Sequence, residues 1–270
     1  MTRRSHVQRA AALTLTVWLG GVATIRSQDA APQLDAADPA VAGAAVGEQA
    51  DDVLRSMGDY LEAVQEFSFR AEVVYDSASA DGQKIQYGGV ANVAVRRPER
   101  LHVIYDGDEK PRRVVIAGGA FTLLDREANV FFQASVPREL GAALDLIFER
   151  YGYSVPIADL VYPDPYETLM GSVQAGSVVG RHLVDGTPCH HLVFSQEGID
   201  WQIWIEDGPA PLPRKLLITY KNEPASPQYS ATFSEWDLEP RISKDYYEFD
   251  PPAGSDEIEF LAAQSGEEQE

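Results

Sequence analysis

Cysteine is almost absent: Cys189 is the only one in 270 residues. That excludes an intramolecular disulfide framework and any zinc site built on several thiolates. Basic residues are scarce too, 22 Lys and Arg against 42 Asp and Glu, for a formal net charge of −20. A surface of that sign repels phosphate backbones, so nucleic acid is excluded as a partner. No apolar run reaches the roughly 20 residues that cross a bilayer as a helix. Neither a Gly-x-Ser-x-Gly elbow, nor a phosphate loop, nor a His-Glu-x-x-His run occurs, and no fixed-period repeat is visible. Nothing in this inventory points to an enzyme or to a bound cofactor.

What is present is core-forming material. Hydrophobic residues make up 44% of the chain and aromatic residues 10%, a composition that favours β structure. The first residues carry Arg3, Arg4 and Arg9 and no acid, followed by the apolar stretch Ala10–Ile25. This is the pattern of an export signal, with Gly21 and Ala23 as the small residues before a cut after Ala23. Residues 1–23 are therefore expected to be a signal peptide, and residues 24–50, rich in Ala, Pro, Asp and Gly, a flexible linker. A folded domain is expected over residues 51–261 and an acidic tail over 262–270. The resulting expectation is a periplasmic or secreted protein without stable membrane insertion once the signal is removed.

Periodicity then assigns the elements. Val53, Met57, Tyr60, Leu61 and Val64 share a helical stripe. From Phe67 the period changes to two: Phe67, Phe69, Ala71, Val73 and Tyr75 alternate with mostly polar residues. Further alternating runs follow to about residue 133, separated by Asp81-Gly82, Pro98 and Gly118-Gly119. A second helical stripe, Leu140, Leu144, Ile147, Phe148 and Tyr151, opens an insertion broken by Pro156, Pro163 and Pro165. Five more strands are expected from Ser177 to Leu238, with turns at Asp185-Gly186, Glu197-Gly198 and Asp207-Gly208. The fold class predicted is mainly β (α+β): about eleven antiparallel strands in a curved half-barrel, with helices covering the concave face.

Three segments carry a family resemblance: VAVRRPERLHV at 93–103, LDLIFERYGYSVPIADLVYPDPY at 144–166 and DWQIWIEDGPAPLPRKLLITY at 200–220. On these the chain resembles the DUF2092 family of predicted periplasmic proteins. Through that family it looks like the LolA/LolB superfamily of periplasmic lipoprotein carriers. The resemblance implies an open β-barrel with a helical lid over a hydrophobic cavity that takes up acyl chains.

The residues expected to line such a cavity are Phe67, Phe69, Val93, Leu101, Val103, Phe121, Phe131, Leu144, Phe148 and Trp201. Alternation puts Trp201 and Trp204 on opposite faces of their strand, so only one of them faces a given cavity. Arg97, before a proline at a strand end, is expected to hold an anionic head group or to latch the lid. His182, Cys189 and His191 fall on one strand face if Asp185-Gly186 forms a two-residue turn. No fourth ligand is visible, and no metal is expected. The function expected is binding or carriage of a lipid or other apolar small molecule. The alternative is an envelope interaction or sensor module that docks a protein partner, and behind it stands a hydrolase or metal enzyme built on His182, Cys189 and His191.

Overall fold

The structure, a computed structural model, describes residues 45–79, 82–154 and 156–259. The expected signal peptide, most of the expected linker and the acidic tail lie outside these residues. Helix α1 (Glu48–Ala63) begins inside the stretch expected to be linker. Its buried stripe is Ala50, Leu54, Met57, Gly58 and Leu61, and Glu48 and Asp51 sit where the helix dipole favours acids.

Six strands follow: β1 (Glu66–Ala78), β2 (Lys84–Arg96), β3 (Arg100–Gly107), β4 (Arg112–Ala117), β5 (Ala120–Asp125) and β6 (Val130–Ser135). Each pairs antiparallel with the next. Helix α2 (Leu140–Tyr151) comes after them, capped by the Glu139 carboxylate, which accepts from the Gly141 and Ala142 amides at 2.8 and 2.7 Å. A 3-10 helix (Pro156–Leu160) and helix α3 (Pro165–Met170) complete the insertion. Pro165 reads as a breaker in sequence, yet it opens α3. A first-turn proline has no amide to lose, and the Asp164 carboxylate caps the Glu167 amide at 2.9 Å.

The second meander is β7 (Val173–Val184), β8 (Thr187–Gln196), β9 (Ile199–Glu206), β10 (Pro213–Tyr220) and β11 (Gln228–Asp237). Asp185 and Gly186 both have positive φ, 46° and 78°, and close the β7–β8 hairpin as the sequence predicts. A two-residue strand, β12 (Asp256–Glu257), pairs parallel with β6. The sheet runs β12-β6-β5-β4-β3-β2-β1-β11-β10-β9-β8-β7 and is not closed. The two meanders meet where β1 pairs with β11. The fold is thus the mainly antiparallel half-barrel expected, with twelve strands among the described residues where about eleven are legible in sequence.

One apolar cluster joins the concave face of the sheet to the helices. Its two halves are filled differently. Helix α1 packs down on β7 and β9, and the space below is occupied by large rings: Phe194 stacks on Trp201 at 4.3 Å and Phe69 on Trp236 at 4.5 Å. Helix α2 makes no comparably close approach to any strand. The wall it faces mixes Val73, Ala91, Val103 and Val114 with Phe121 and several tyrosines.

The outer face is not bare. The chain after β11 crosses it over β3 and β4, turning through a 3-10 helix (Lys244–Tyr247). Arg96 donates to the Ile242 carbonyl at 2.6 Å, and Arg113 to the Glu248 carbonyl at 3.2 Å. Beneath this strap His102 is almost wholly buried, and its Nε2 accepts from Arg113 Nε at 2.9 Å. Burial first and the Arg113 charge second lower this imidazole to about 4. An unfolded histidine titrates near 6.5, so between that pH and about 4 the unfolded chain holds a proton that the folded chain lacks. Stability therefore falls with acidification across this window, by about 3 kcal/mol from this residue. Urea unfolding of wild type and His102→Gln between pH 4 and 6.5 is expected to show a shallower slope in the variant. Equal slopes would place the acid sensitivity elsewhere.

Candidate functional site

Between α2 and the strands lies a cavity of about 300 Å³. Period-two alternation supplies its floor: Leu101, Val103 and Tyr105 from β3 and Val114 and Ile116 from β4 all point to one side. Val73 of β1, Ala91 of β2 and Phe121 of β5 extend it. Leu144 and Ile147 of α2 form the roof with Ile157 and Ala158 of the 3-10 helix.

The lining also carries polar groups. Tyr75, Tyr105, Tyr153, Tyr229 and Arg112 are part of it, and the exposed Glu109 and Lys110 mark its open end. The Tyr75 hydroxyl donates to the Glu109 carboxylate. Tyr105 lies over the paired glycines Gly89 and Gly107, where a Cβ at either position would come within 2.5 Å of its hydroxyl. Those two positions therefore admit only glycine while the ring stays where it is. Burial is the leading cause that pushes Tyr75, Tyr105, Tyr153 and Tyr229 above the usual phenol range. The polar lining thus comprises neutral hydroxyls with one carboxylate, one guanidinium and one ammonium. Such an enclosure suits an apolar body with a polar end.

Of the ten residues expected to line a cavity, Leu101, Val103, Phe121 and Leu144 do so. Phe67, Phe69 and Val93 face the same side but are sealed in the packed core. Trp201 does face inward, opposite to Trp204, but under α1's half of the sheet, stacked on Phe194. Phe148 is half-buried on α2 and off the cavity wall. Phe131 belongs to the other face: it packs on Phe249 of the strap at 5.1 Å, and its neighbour Phe132 is the ring that meets Phe121, at 6.1 Å. A one-residue change of parity exchanges the two faces.

The tyrosines of the lining do not stand out in a sequence when the largest apolar rings are taken as the cavity residues. Large rings fill space. The cavity survives where valine, alanine and leucine leave room. The signal that would have found it is the set of tyrosines ending the alternating runs, Tyr75 and Tyr105, next to the acidic and basic residues 108–113.

Arg97 is not on the cavity wall. Its guanidinium donates to the Leu61 and Val64 carbonyls at the end of α1, at 2.5 and 2.7 Å, and to the Tyr162 carbonyl at 2.8 Å. Burial lowers it to about 10. Of its two expected roles, this geometry leaves the guanidinium committed to the covering segments and not to a head group.

His182 pairs with Cys189 across β7–β8, the register the turn predicts. The histidines meet, with 3.0 Å between the Nδ1 atoms of His182 and His191. Cys189 instead turns its thiol to the Thr187 carbonyl at 3.4 Å. Among the described residues no three His, Cys, Asp or Glu side chains converge to hold a metal. His191 stacks on Trp204 at 4.0 Å and bonds Gln202 at 2.9 Å, while Ser195 donates to Asp200 at 2.7 Å.

The family model for predicted periplasmic proteins, DUF2092, matches residues 50–261, strap and cavity included. The chain belongs to this family. No curated protein sequence matches this DUF2092 chain. Solved structures similar in fold include the lipoprotein LppX of Mycobacterium tuberculosis, 14% identical, covering 71% of this chain and 96% of that one at a TM-score of 0.41. An uncharacterised conserved protein of Thermus thermophilus is 9% identical, with 78% and 100% covered and a TM-score of 0.47. A LolA superfamily protein of Nitrosomonas europaea is 11% identical, with 73% and 97% covered and a TM-score of 0.33. No described helix of this DUF2092 protein is long and apolar enough to cross a membrane.

Proposed function

We propose that this protein is a periplasmic binding or carrier protein that takes one acyl chain into the cavity under α2. The observation that carries the reading is a mainly apolar chamber of about 300 Å³ with the exposed, charged Glu109 and Lys110 in its lining. At about 30 Å³ per heavy atom of condensed matter, it admits a chain of roughly ten carbons. Each methylene removed from water contributes about 0.8 kcal/mol, hence about 8 kcal/mol before the costs of association. The polar end of the ligand then sits among Tyr75, Tyr105, Glu109, Lys110 and Arg112.

Native mass spectrometry of the protein purified from the envelope, with lipid extraction, tests this. The expected result is a single-chain fatty acyl species at one per protein. An empty protein that also fails to take up decanoate or a fluorescent fatty acid would overturn the reading. A stable protein partner recovered without lipid would favour an interaction module instead.

A further inference from the structure

The outer face of the sheet holds a second chamber, of about 280 Å³, between the C-terminal strap and strands β3 to β6. Small residues line one side: Ala117 with the exposed Gly118 and Ala120 around the β4–β5 turn, and Val115 beside them. The walls are polar. Arg100 of β3, Thr122 of β5, Gln133 of β6 and Tyr247 of the strap all face it.

Apart from the exposed Glu248, these walls are rich in hydrogen-bond donors and poor in acceptors. Gln133 Nε2 donates to Thr122 Oγ1 at 3.0 Å, which leaves the threonine hydroxyl proton to give. Tyr247 is fully buried, and its hydroxyl has no partner among the described residues. The Nη1 nitrogen of Arg100 is likewise buried with no partner among them. Its neighbours are placed otherwise: Arg96 pairs with Glu66 at 2.6 Å and Arg113 bonds His102 at 2.9 Å. A buried guanidinium N–H and a buried phenol without acceptors are both unfavourable, and the favourable partner for such a set is an anion.

We propose that this outer chamber binds a small carboxylate, held by Arg100 and Tyr247 with Thr122 and Gln133 beside them. A carboxylate is planar and matches the fork of a guanidinium, and it offers further lone pairs to the phenol and the threonine hydroxyl. The alanine and glycine side leaves room for a short aliphatic tail. A water molecule supplies acceptors but no charge for the cation. Among the described residues Glu248, exposed on the rim, is the acid that lines the pocket. The chamber lies on the opposite face of the sheet from the acyl cavity, so each stands or falls without the other.

The test is titration of the full chain with acetate and with butyrate at constant ionic strength in sodium chloride, followed by amide chemical shifts. Inorganic phosphate serves as the tetrahedral comparison. Saturable shifts around Arg100, Thr122 and Tyr247 are expected, with phosphate weaker than butyrate. Arg100→Gln is expected to weaken butyrate at least tenfold. Tyr247→Phe keeps the buried ring and is expected to weaken it severalfold, so the site is testable without disturbing the strap. Shifts that never saturate, or that persist unchanged in both variants, would overturn the site. Phosphate binding as tightly as butyrate would overturn the carboxylate assignment. Binding that appears only in Glu248→Gln would show that the chain's own carboxylate fills the pocket, and this too would overturn it.

Discussion

Ala91→Phe is expected to lower the affinity for a ten-carbon fatty acid at least a hundredfold. Ala91 lines the acyl cavity, and its cross-strand neighbours are Ala71 on one side and Tyr105 on the other. The added ring points into empty space and occupies the room of roughly seven of the ten carbons the chamber admits. Losing burial of that many methylenes removes about 5 kcal/mol of ligand transfer free energy, far more than a hundredfold requires. Overpacking a solid core normally costs about 1–3 kcal/mol, but here the ring fills a void, and a loss of less than about 1 kcal/mol is expected. Displacement of a fluorescent fatty acid measures the first quantity and urea unfolding the second. Undiminished binding by a folded Ala91→Phe protein would place the ligand outside this cavity.

Arg97→Ala is expected to destabilise the fold by about 3 kcal/mol. One side chain joins three covering elements: the end of α1 through Leu61 and Val64, the β2–β3 turn that carries Arg97 itself, and the segment after the 3-10 helix through Tyr162. The substitution strands three carbonyls that share one cation, each bond being worth about 1.5–3 kcal/mol when the donor is charged. Part of that loss is offset, because burying the guanidinium is itself unfavourable, as its lowering to about 10 records. Arg97→Lys is expected to recover less than half, since a compact ammonium cannot fork between two chain segments. Ile157 and Ala158, just before Tyr162, belong to the cavity roof. The same variant should therefore release a bound fatty acid faster, which stopped-flow displacement reads. A destabilisation below about 0.5 kcal/mol would mean that apolar packing alone holds these elements.

The two chambers give the faces of one sheet different chemistries. The concave side encloses a mainly apolar cavity whose lining includes four tyrosines with Glu109, Lys110 and Arg112. The outer side holds partly buried cations beside the strap: Arg113 bonded to the Glu248 carbonyl, Arg96 with its charge 5.0 Å from the centre of the Tyr247 ring, and Arg100 at the second chamber. On a chain of net charge −20 this concentration of arginines is a local exception, and the C-terminal strap is what encloses it.

Local structure could be read from the residues directly. Alternation over Phe67–Tyr75 and Leu101–Tyr105, the stripe from Leu140 to Tyr151, and the Asp185-Gly186 turn follow from side-chain period and backbone sterics, which act over a few residues. The same reading could not show that β1 pairs with β11, nor that residues 241–257 return to cover β3 and β4 and pair with β6. Those contacts join segments more than a hundred residues apart, and no local period encodes them. Which face Phe131 joins, that Arg97 binds the chain's own carbonyls, and that the void lies beside Val103 and Ala91 and not beside Trp201 were settled only by the assembled fold. A cavity is a difference between the volume that elements enclose and the volume that side chains fill, and that difference exists only once the elements have met.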